Sequence, residues 1–315
     1  MAIFVSEHVR IENRKVETDP ENRLTWHDGS YLDVAICNAG YSNPERDNLR
    51  YNSIGTSVLR DYSQALDVLG KISLTQYAVI RWEGPNTGNG ASIKEFQEML
   101  KDPAFQGKWR EFIERGEEIV FKARELPKHL YTISVLHGNV YGGSVELALP
   151  YNMVIAAEDT TIGFPEITLG IVPGFGGVAL SYERTGRHNT EQLVSIGGSI
   201  DALTAMNIGL VDRVSKDPAT AYGEIIEKNE RPERGADSYQ LKESDIKKPR
   251  TDPAPFVVGR VPSMMDEIES AYKLRGLEGA LSVNTSACVE LGIRDDFREG
   301  VTAFSEKRQP QYTGN

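Results

Sequence analysis

The chain has 315 residues, of which 39% are hydrophobic and 26% are charged, as is ordinary for a soluble globular protein. Its formal net charge of −11 disfavours binding to nucleic acid through an overall positive field, but leaves room for a local basic patch. The two cysteines, Cys37 and Cys288, give neither a disulfide framework nor metal-ligand spacing, so we expect a reducing, cytoplasmic location. Neither a signal peptide nor an apolar run long enough to cross a bilayer is visible, so no membrane partner is expected.

In chain order, the hydrophobic pattern predicts alternating strands and helices, which is typical of an α/β architecture. Residues 1–30 are polar and charged, and we expect an irregular arm with at most one short strand. Amphipathic helices are predicted at Thr56–Gly70, in "IKEFQEML", and at Trp109–Leu126. Buried strands are predicted in "SYLDVAICNAG", "QYAVIRWEG", "YTISVLHG", "NMVIAAED" and "TTIGF".

The composition changes at Ser215, where a segment dense in charge and poor in apolar residues begins. This pattern indicates an exposed insertion or linker with one short helix. Beyond Val261, three amphipathic helices are predicted in "SMMDEIESAYKL", "LEGALSVNTSACVELGI" and "DDFREGVTAFSEKR". We therefore divide the chain into an arm (1–30), an α/β core (31–214), a charged insertion (215–255) and a helical C-terminal part (256–315).

Two glycine-containing loops, "GNGAS" and "YGGSVEL", each lie between a predicted strand and a predicted helix. Glycine lets a ligand come close to the backbone, and a helix N-terminus offers unpaired N–H groups with a partial positive charge. If the two loops are adjacent, they can direct two N–H groups at one oxygen, as an oxyanion hole does. Each glycine pair alone is more often just a tight strand-to-helix turn.

Two glutamates, Glu146 and Glu166, stand in otherwise apolar or glycine-rich surroundings. Burial raises the pKa of a carboxyl group that has no cation partner, and a second carboxylate nearby raises it further. Such a pair suits general acid and base catalysis. The alternative for each glutamate is a surface position or a structural ion pair. For both together, function is favoured.

At these residues the sequence resembles the crotonase (enoyl-CoA hydratase/isomerase) superfamily. The stretch "HGNVYGGSVELALPYNMVIAAEDTTIGFPEITLGIVPGFGG" is similar to the central signature of the family, and "NGASIKEF" to its first oxyanion loop. Further similarity lies in "ALTAMNIGLVDRV" and "DDFREGVTAFSEKR". The resemblance implies an α/β fold with a ClpP/crotonase-like ββα superhelix core and a helical C-terminal part that mediates trimerisation.

The resemblance also implies the chemistry of the site. The backbone N–H groups of Ala91 and Gly143 would form the oxyanion hole for a thioester carbonyl. Glu146 and Glu166 would activate water and transfer the proton at the α-carbon of a 2-enoyl-CoA. No metal or redox cofactor is implied, because coenzyme A is part of the substrate, and the expected assembly is a homotrimer or homohexamer. The candidate substrate-binding residues are Asn89, Gly90, Gly142, Pro165, Gly174, Phe164 and Lys307.

For two of these candidates, a role outside substrate binding is at least as frequent. Phe164 is as often a core residue as a lining of an acyl pocket. An exposed basic residue such as Lys307 is more often solvated than bound to a coenzyme A phosphate.

The sequence departs from the family pattern at several positions, and other reactions stay open. Ser92 stands where the family has Asp, Ser144 replaces a third glycine, and Pro150–Asn152 replaces a run of small residues. The stretch "WHDGSYLDV" is similar to part of the ring-opening oxo-acyl-CoA hydrolases. The alternatives to hydration are therefore ring-opening or C–C bond hydrolysis, enoyl-CoA isomerisation, and a non-enzymatic protein that binds CoA or RNA.

Overall fold

A computed structural model describes residues 2–18, 24–37, 53–72, 76–233 and 239–314. The described strands are β1 (Ala2–Val5), β2 (Val9–Thr18), β3 (Leu24–Ile36), β4 (Tyr77–Trp82), β5 (Tyr131–Leu136), β6 (Asn139–Tyr141), β7 (Met153–Ala157), β8 (Thr161–Gly163), β9 (Ser199–Asp201) and β10 (Arg213–Ser215). The described helices are α1 (Thr56–Leu69), α2 (Ile93–Leu100), α3 (Phe105–Arg124), α4 (Gly143–Ala148), α5 (Gly177–Ile196), α6 (Ala202–Asn207), α7 (Pro218–Glu227), α8 (Pro255–Gly292) and α9 (Asp295–Glu306). Short 3₁₀ helices occupy Pro165–Leu169 and Glu243–Asp245.

The main sheet has seven strands in the order β1-β2-β3-β4-β5-β7-β10. From β3 to β10 neighbouring strands are parallel, and every residue of β5 is buried. A strand buried on both faces needs apolar or small side chains throughout, which is the pattern of "YTISVL". The predicted strands in this part of the chain are confirmed, as are the predicted helices α1, α2 and α3.

A smaller sheet of three strands, in the order β6-β8-β9, carries the glycine-rich segments. Strands β6 and β8 are parallel, and β9 is antiparallel to β8. The N–H of Gly142 donates to the carbonyl of Gly163, 3.0 Å away, at the end of this ladder. The smaller sheet thereby brings the Gly142 loop and the Pro165 loop to one place.

The prediction of an irregular N-terminal arm is wrong. The first strands β1 and β2 are antiparallel to each other, and β2 is antiparallel to β3, so the arm extends the main sheet. The side chains of Val9 and Ile11 are fully buried, and they alternate with the charged Arg10 and Glu12. This alternation with a period of two is the mark of a strand with one buried face, but two apolar residues among many charges make a weak signal.

The charged insertion is more ordered than predicted. Its helix α7 buries Ala221, Tyr222, Ile225 and Ile226 against the main sheet, and Leu241 and Ile246 are buried further on. In the C-terminal part, α8 is interrupted at Gly276, where φ is 63° and ψ is −153°. Its two halves and α9 therefore match the three predicted helices. Within the described ranges, no helix is both long and apolar enough to cross a bilayer.

Candidate active site

A cavity opens where the two glycine-containing loops meet. It combines a polar edge of glycine backbone and carboxyl groups with an apolar wall. The polar edge is formed by Asn89, Gly90, Ala91, Gly142, Gly143, Glu146, Pro165, Glu166 and Gly174. The apolar wall is formed by Ile93, Phe96, Trp109, Phe112, Ile113, Leu169, Ile171, Phe175 and Cys288.

Backbone hydrogen bonds join the first glycine loop to β6. Gly88 donates to the carbonyl of Asn139 at 3.0 Å and accepts from the N–H of Tyr141 at 2.9 Å. On its other side the loop is paired with Ile54, which donates to the carbonyl of Gly90 and accepts from the N–H of Ser92, each at 2.9 Å. The loop is therefore held on both sides by backbone bonds rather than by its own side chains.

Two backbone N–H groups at this junction have no acceptor among the described residues. Within the described part of the chain, the N–H groups of Ala91 and Gly143 donate no hydrogen bond. The loops touch closely, since a Cβ on Gly90 would lie 3.0 Å from the carbonyl oxygen of Tyr141 and 3.5 Å from the nitrogen of Gly143. Gly90 also has a φ of +82°, which other residues rarely adopt. For both reasons, position 90 favours glycine over other residues.

The two serines that depart from the family pattern both have structural partners. The Ser92 side chain caps α2 by accepting from the N–H of Glu95 at 3.3 Å. The Ser144 hydroxyl accepts from the N–H of Gly90 at 3.2 Å, which ties the first loop to the start of α4. Ser144 therefore adds a side-chain link between the two loops.

Glu146 is buried, and its Oε1 is held by the backbone. The N–H of Phe175 donates to Oε1 at 2.8 Å, and the N–H of Gly177 donates at 2.6 Å. Burial raises the pKa of Glu146 to about 7, while these N–H groups and those of Gly174 and Gly176 act in the opposite direction. Burial and the backbone donors therefore act against each other on this carboxyl, and burial is the larger effect.

Glu166 is buried near Glu146, and of backbone N–H groups only its own lowers its pKa, against four for Glu146. It lies at the second position of the 3₁₀ helix, and its Oε2 has no hydrogen-bond partner within the described part of the chain. Burial raises its pKa well above the ordinary value, and the charge of Glu146 raises it further. The positive φ of Gly142 and the absence of a side chain there make room for Oε1 of Glu166, which a Cβ would overlap.

Most of the site residues predicted from the sequence line this one cavity, and two do not. Phe164 is buried beside Gly177, behind Glu146, and does not line the cavity. Lys307 is an exposed residue at the end of α9 and does not line it either. The neighbouring Arg308 forms ion pairs with Glu299 and Glu306.

Part of the apolar wall and the support of the loops come from residues on α8 that the sequence does not single out as site residues. Cys288 on α8 lies against Gly174, and burial together with the charges of both glutamates raises the pKa of its thiol. Asn284, also on α8, accepts from the N–H groups of Val178 and Ala179 and donates to the carbonyl of Pro173 at 2.6 Å. No short-range pattern marks these residues, because they are far along the chain from the loops that they contact.

Chemically, the cavity offers two free backbone donors and two carboxyl groups that differ in their surroundings. The donors can stabilise negative charge that develops on one oxygen. The carboxyl that accepts more N–H bonds is the one held ionised and so available as a base, and the other is the one held protonated and so available as an acid. The apolar wall suits an acyl chain.

Comparison with known proteins gives a consistent match. A family model described as enoyl-CoA hydratase/isomerase matches residues 44–239. The chain is 31% identical over 265 residues to a probable enoyl-CoA hydratase of Bacillus subtilis (strain 168), covering 84% of this chain and 91% of that relative. It is 29% identical over 273 residues to the enoyl-CoA isomerase/hydratase fer4 of Mycosarcoma maydis, covering 84% and 88%, respectively.

Solved structures show the same fold. The crystal structure of an enoyl-CoA hydratase from Mycobacterium avium subsp. paratuberculosis K-10 superposes with a TM-score of 0.62, covering 96% of this chain and 98% of that one. An enoyl-CoA hydratase from Bacillus halodurans superposes with a TM-score of 0.63, covering 92% and 99%. Identities of 20% and 14% restrict this similarity to the fold, and it confirms the predicted α/β class.

Proposed function

Because the chain belongs to the enoyl-CoA hydratase/isomerase family of the crotonase superfamily and is an enoyl-CoA hydratase-like enzyme, we propose that it adds water to a 2-enoyl-CoA thioester. The reverse reaction, dehydration, uses the same groups. In this proposal Glu146 and Glu166 are the catalytic pair, and Ala91 and Gly143 form the oxyanion hole. Coenzyme A is part of the substrate, and the carboxyl groups handle each proton transfer.

The observation that carries the proposal is the contrast between the two carboxyl groups in one cavity. Backbone N–H groups hold Oε1 of Glu146, whereas Oε2 of Glu166 has no partner among the described residues. When the pair holds one proton and one negative charge, the charge is therefore more stable on Glu146 and the proton on Glu166. Hydration needs a base and an acid in the same site. A pair with one ionised and one protonated carboxyl therefore supports hydration over reactions that need only one acid or base group.

The proposed reaction proceeds through an enolate. Glu146 takes a proton from water as the water oxygen bonds to the β-carbon, and the electron pair of the double bond moves toward the thioester carbonyl. The N–H groups of Ala91 and Gly143 donate to the oxygen that becomes negative, which is worth about 10²–10³ in rate per donor in comparable sites. Glu166 then gives its proton to the α-carbon, and the enolate returns to a thioester.

The test is the exchange of each carboxyl for an amide. We expect Glu146→Gln and Glu166→Gln each to lower kcat for hydration by about 10²–10⁴, since each removes one proton transfer. The reaction is followed by the loss of absorbance of the conjugated enoyl thioester, and mass spectrometry identifies the hydroxyacyl product. Glu117→Gln is the matched control, because Glu117 also has a raised pKa from burial but lies outside the cavity. Wild-type turnover in both cavity variants would refute the assignment.

Isomerisation is a second candidate, and the name of the Mycosarcoma maydis relative favours it. Moving a double bond needs only one group that removes a proton and returns it elsewhere. An isomerase would therefore convert a 3-enoyl-CoA into a 2-enoyl-CoA without a change in mass and would keep most of its activity in one of the two variants. A hydratase gains the mass of water and depends on both.

A further inference from the structure

The charged insertion returns to the catalytic cavity. Lys247 pairs with β9, donating to the carbonyl of Ser199 at 2.8 Å and accepting from its N–H at 3.0 Å. Seven residues later, the N–H of Ala254 donates at 3.0 Å to the carbonyl of Ile167, which follows Glu166. The stretch Lys247–Arg250, which we call the basic strap, therefore starts on the small sheet and leads to the 3₁₀ helix of Glu166.

The C-terminal segment fixes the strap at a third point. The Gln309 side chain donates to the carbonyl of Arg250 at 2.9 Å and accepts from the N–H of Asp252 at 3.1 Å. These are backbone anchors, so the strap is held in place without its basic side chains. The side chains of Lys247 and Arg250 are exposed and form no ion pair with any described residue. Lys248 is paired with Glu243 at 2.6 Å.

The strap lines a groove that continues from the cavity. The groove shares Pro165 with the cavity, and it includes Tyr141, which immediately precedes Gly142. Its lining contains three basic side chains and no carboxyl group: the residues are Tyr141, Pro165, Gly197, Gly198, Ser199, Lys247, Lys248, Pro249 and Arg250. Two unpaired cations beside the route to the cavity make an anion-binding surface.

A second groove, at helices α2 and α3, has the opposite character. It shares Phe112 with the cavity, and its lining has four carboxyl groups and two cations: Glu95, Glu98, Asp102 and Glu111 with Lys108 and Arg115. The chain as a whole carries a net charge of −11. An anionic ligand is therefore attracted to the strap groove and repelled at the groove of α2 and α3.

We propose that Lys247 and Arg250 bind an anionic oxygen group of the acyl-CoA substrate, either a phosphate of coenzyme A or a carboxylate on the acyl group. The inference rests on the proposed function, since it names the charged part of the substrate for the same site. Both groups present the same chemistry to an ammonium and a guanidinium group. The insertion thus contributes to substrate binding from outside the catalytic loops.

The test measures binding without turnover. A saturated acyl-CoA, which has no double bond to hydrate, is titrated by calorimetry into the wild type and the variant Lys247→Ala/Arg250→Ala. If a phosphate of coenzyme A is the bound group, two exposed ion pairs predict about a tenfold rise in Kd for this ligand, and added salt should reduce the difference. Lys228→Ala is the matched control, because Lys228 is also exposed, forms no ion pair with a described residue, and lies outside the groove. The charge reversal Arg250→Glu should raise Kd further.

Two further ligands identify the anionic group. If a phosphate is bound, the double variant binds the same acyl-pantetheine, which lacks the nucleotide phosphates, as well as the wild type does. If instead a carboxylate on the acyl group is bound, the double variant loses affinity for an acyl-pantetheine whose acyl group carries a free carboxylate. Its affinity for an acyl-pantetheine without a free carboxylate is unchanged. An unchanged Kd for every ligand would overturn the inference. If the protein hydrates no enoyl-CoA but shows the Kd changes, the proposed function is wrong, whereas the inference about Lys247 and Arg250 is not.

Discussion

At the scale of single residues, the candidate site depends on two glutamates whose surroundings differ. Glu146 and Glu166 are both buried glutamates in one cavity, and burial raises the pKa of each. The difference comes from backbone N–H groups, which reach Glu146 and not Oε2 of Glu166. The polypeptide backbone, rather than a charged side chain, therefore distinguishes the carboxyl that we propose as the base.

This burial makes stability depend on pH. A carboxyl with a raised pKa holds its proton more tightly in the folded chain than in the unfolded one, so the folded state binds more protons above the ordinary value of 4.5. The free energy of unfolding therefore falls as pH rises from there through the folded pKa, which is about 7 for Glu146. Glu166→Gln removes one such group at constant size, and we expect its Tm to fall less than that of the wild type between about pH 5 and about pH 8. Thermal unfolding at both pH values checks this, and equal falls would contradict it.

A single methyl group at Gly142 should disturb the acid. Gly142 has a φ of 53° and a ψ of −128°, and a Cβ there would overlap Oε1 of Glu166. We expect Gly142→Ala to lower kcat by about 100-fold through displacement of the carboxyl. The strained backbone should also cost about 1–3 kcal/mol in the free energy of unfolding. Steady-state kinetics and urea unfolding measure the two effects.

The control for this substitution is Gly107→Ala in α3. A Cβ at Gly107 would have no neighbour within 4 Å, and its backbone is helical. Alanine there should leave kcat unchanged and stabilise the chain by about 0.5–1 kcal/mol. A loss of activity in Gly142→Ala no larger than in Gly107→Ala would mean that Glu166 tolerates the displacement.

At the scale of elements, helix α8 supports the proposed base, Glu146, through Asn284. The amide of Asn284 joins the carbonyl of Pro173 to the N–H groups of Val178 and Ala179 and so brackets the loop that donates to Glu146. We expect Asn284→Ala to lower the free energy of unfolding by about 2–3 kcal/mol, since buried backbone groups lose their partners. A looser loop also donates less well, which raises the pKa of Glu146 and moves the rising limb of the pH–rate profile to higher pH.

A matched control separates the positioning effect from general destabilisation. Asn189→Ala also removes a buried amide, which accepts from the N–H of Leu241 at 2.7 Å and donates to the carbonyls of Thr185 and Tyr239. It should destabilise the chain similarly and leave the rising limb of the profile in place. If Asn284→Ala leaves that limb in place as well, the loop does not need α8 to hold the base.

Elements with a strong hydrophobic period were predictable from the sequence, and weakly patterned ones were not. Helix α1 buries residues at regular helical spacing from Val58 to Leu69, and β5 is a continuous buried run, so both were predicted. In β2 the fully buried Val9 and Ile11 stand among charged neighbours, and the strand was missed. Burial of α7 was missed because the high charge of the insertion masks four buried apolar or aromatic residues.

At the scale of the whole molecule, the local part of the site was predictable and its long-range part was not. The glycines, the two glutamates and the proline stand in short stretches whose chemistry can be read directly. The wall residue Cys288 and the support from Asn284 come from α8, and Asn284 is 106 positions from Val178. No short window of the sequence encodes such a contact, because it depends on how α8 packs against α5.

The bond between the N–H of Gly90 and the Ser144 hydroxyl has a consequence for folding. It joins positions 54 residues apart, with α2, α3, β5 and β6 in the intervening chain. Closing so long a loop costs entropy that local contacts do not repay, so we expect the two donor loops to meet only after the sheet strands have paired. Turnover of a thioester by this chain would therefore report complete assembly of the sheet, whereas helix content measured by circular dichroism would rise earlier.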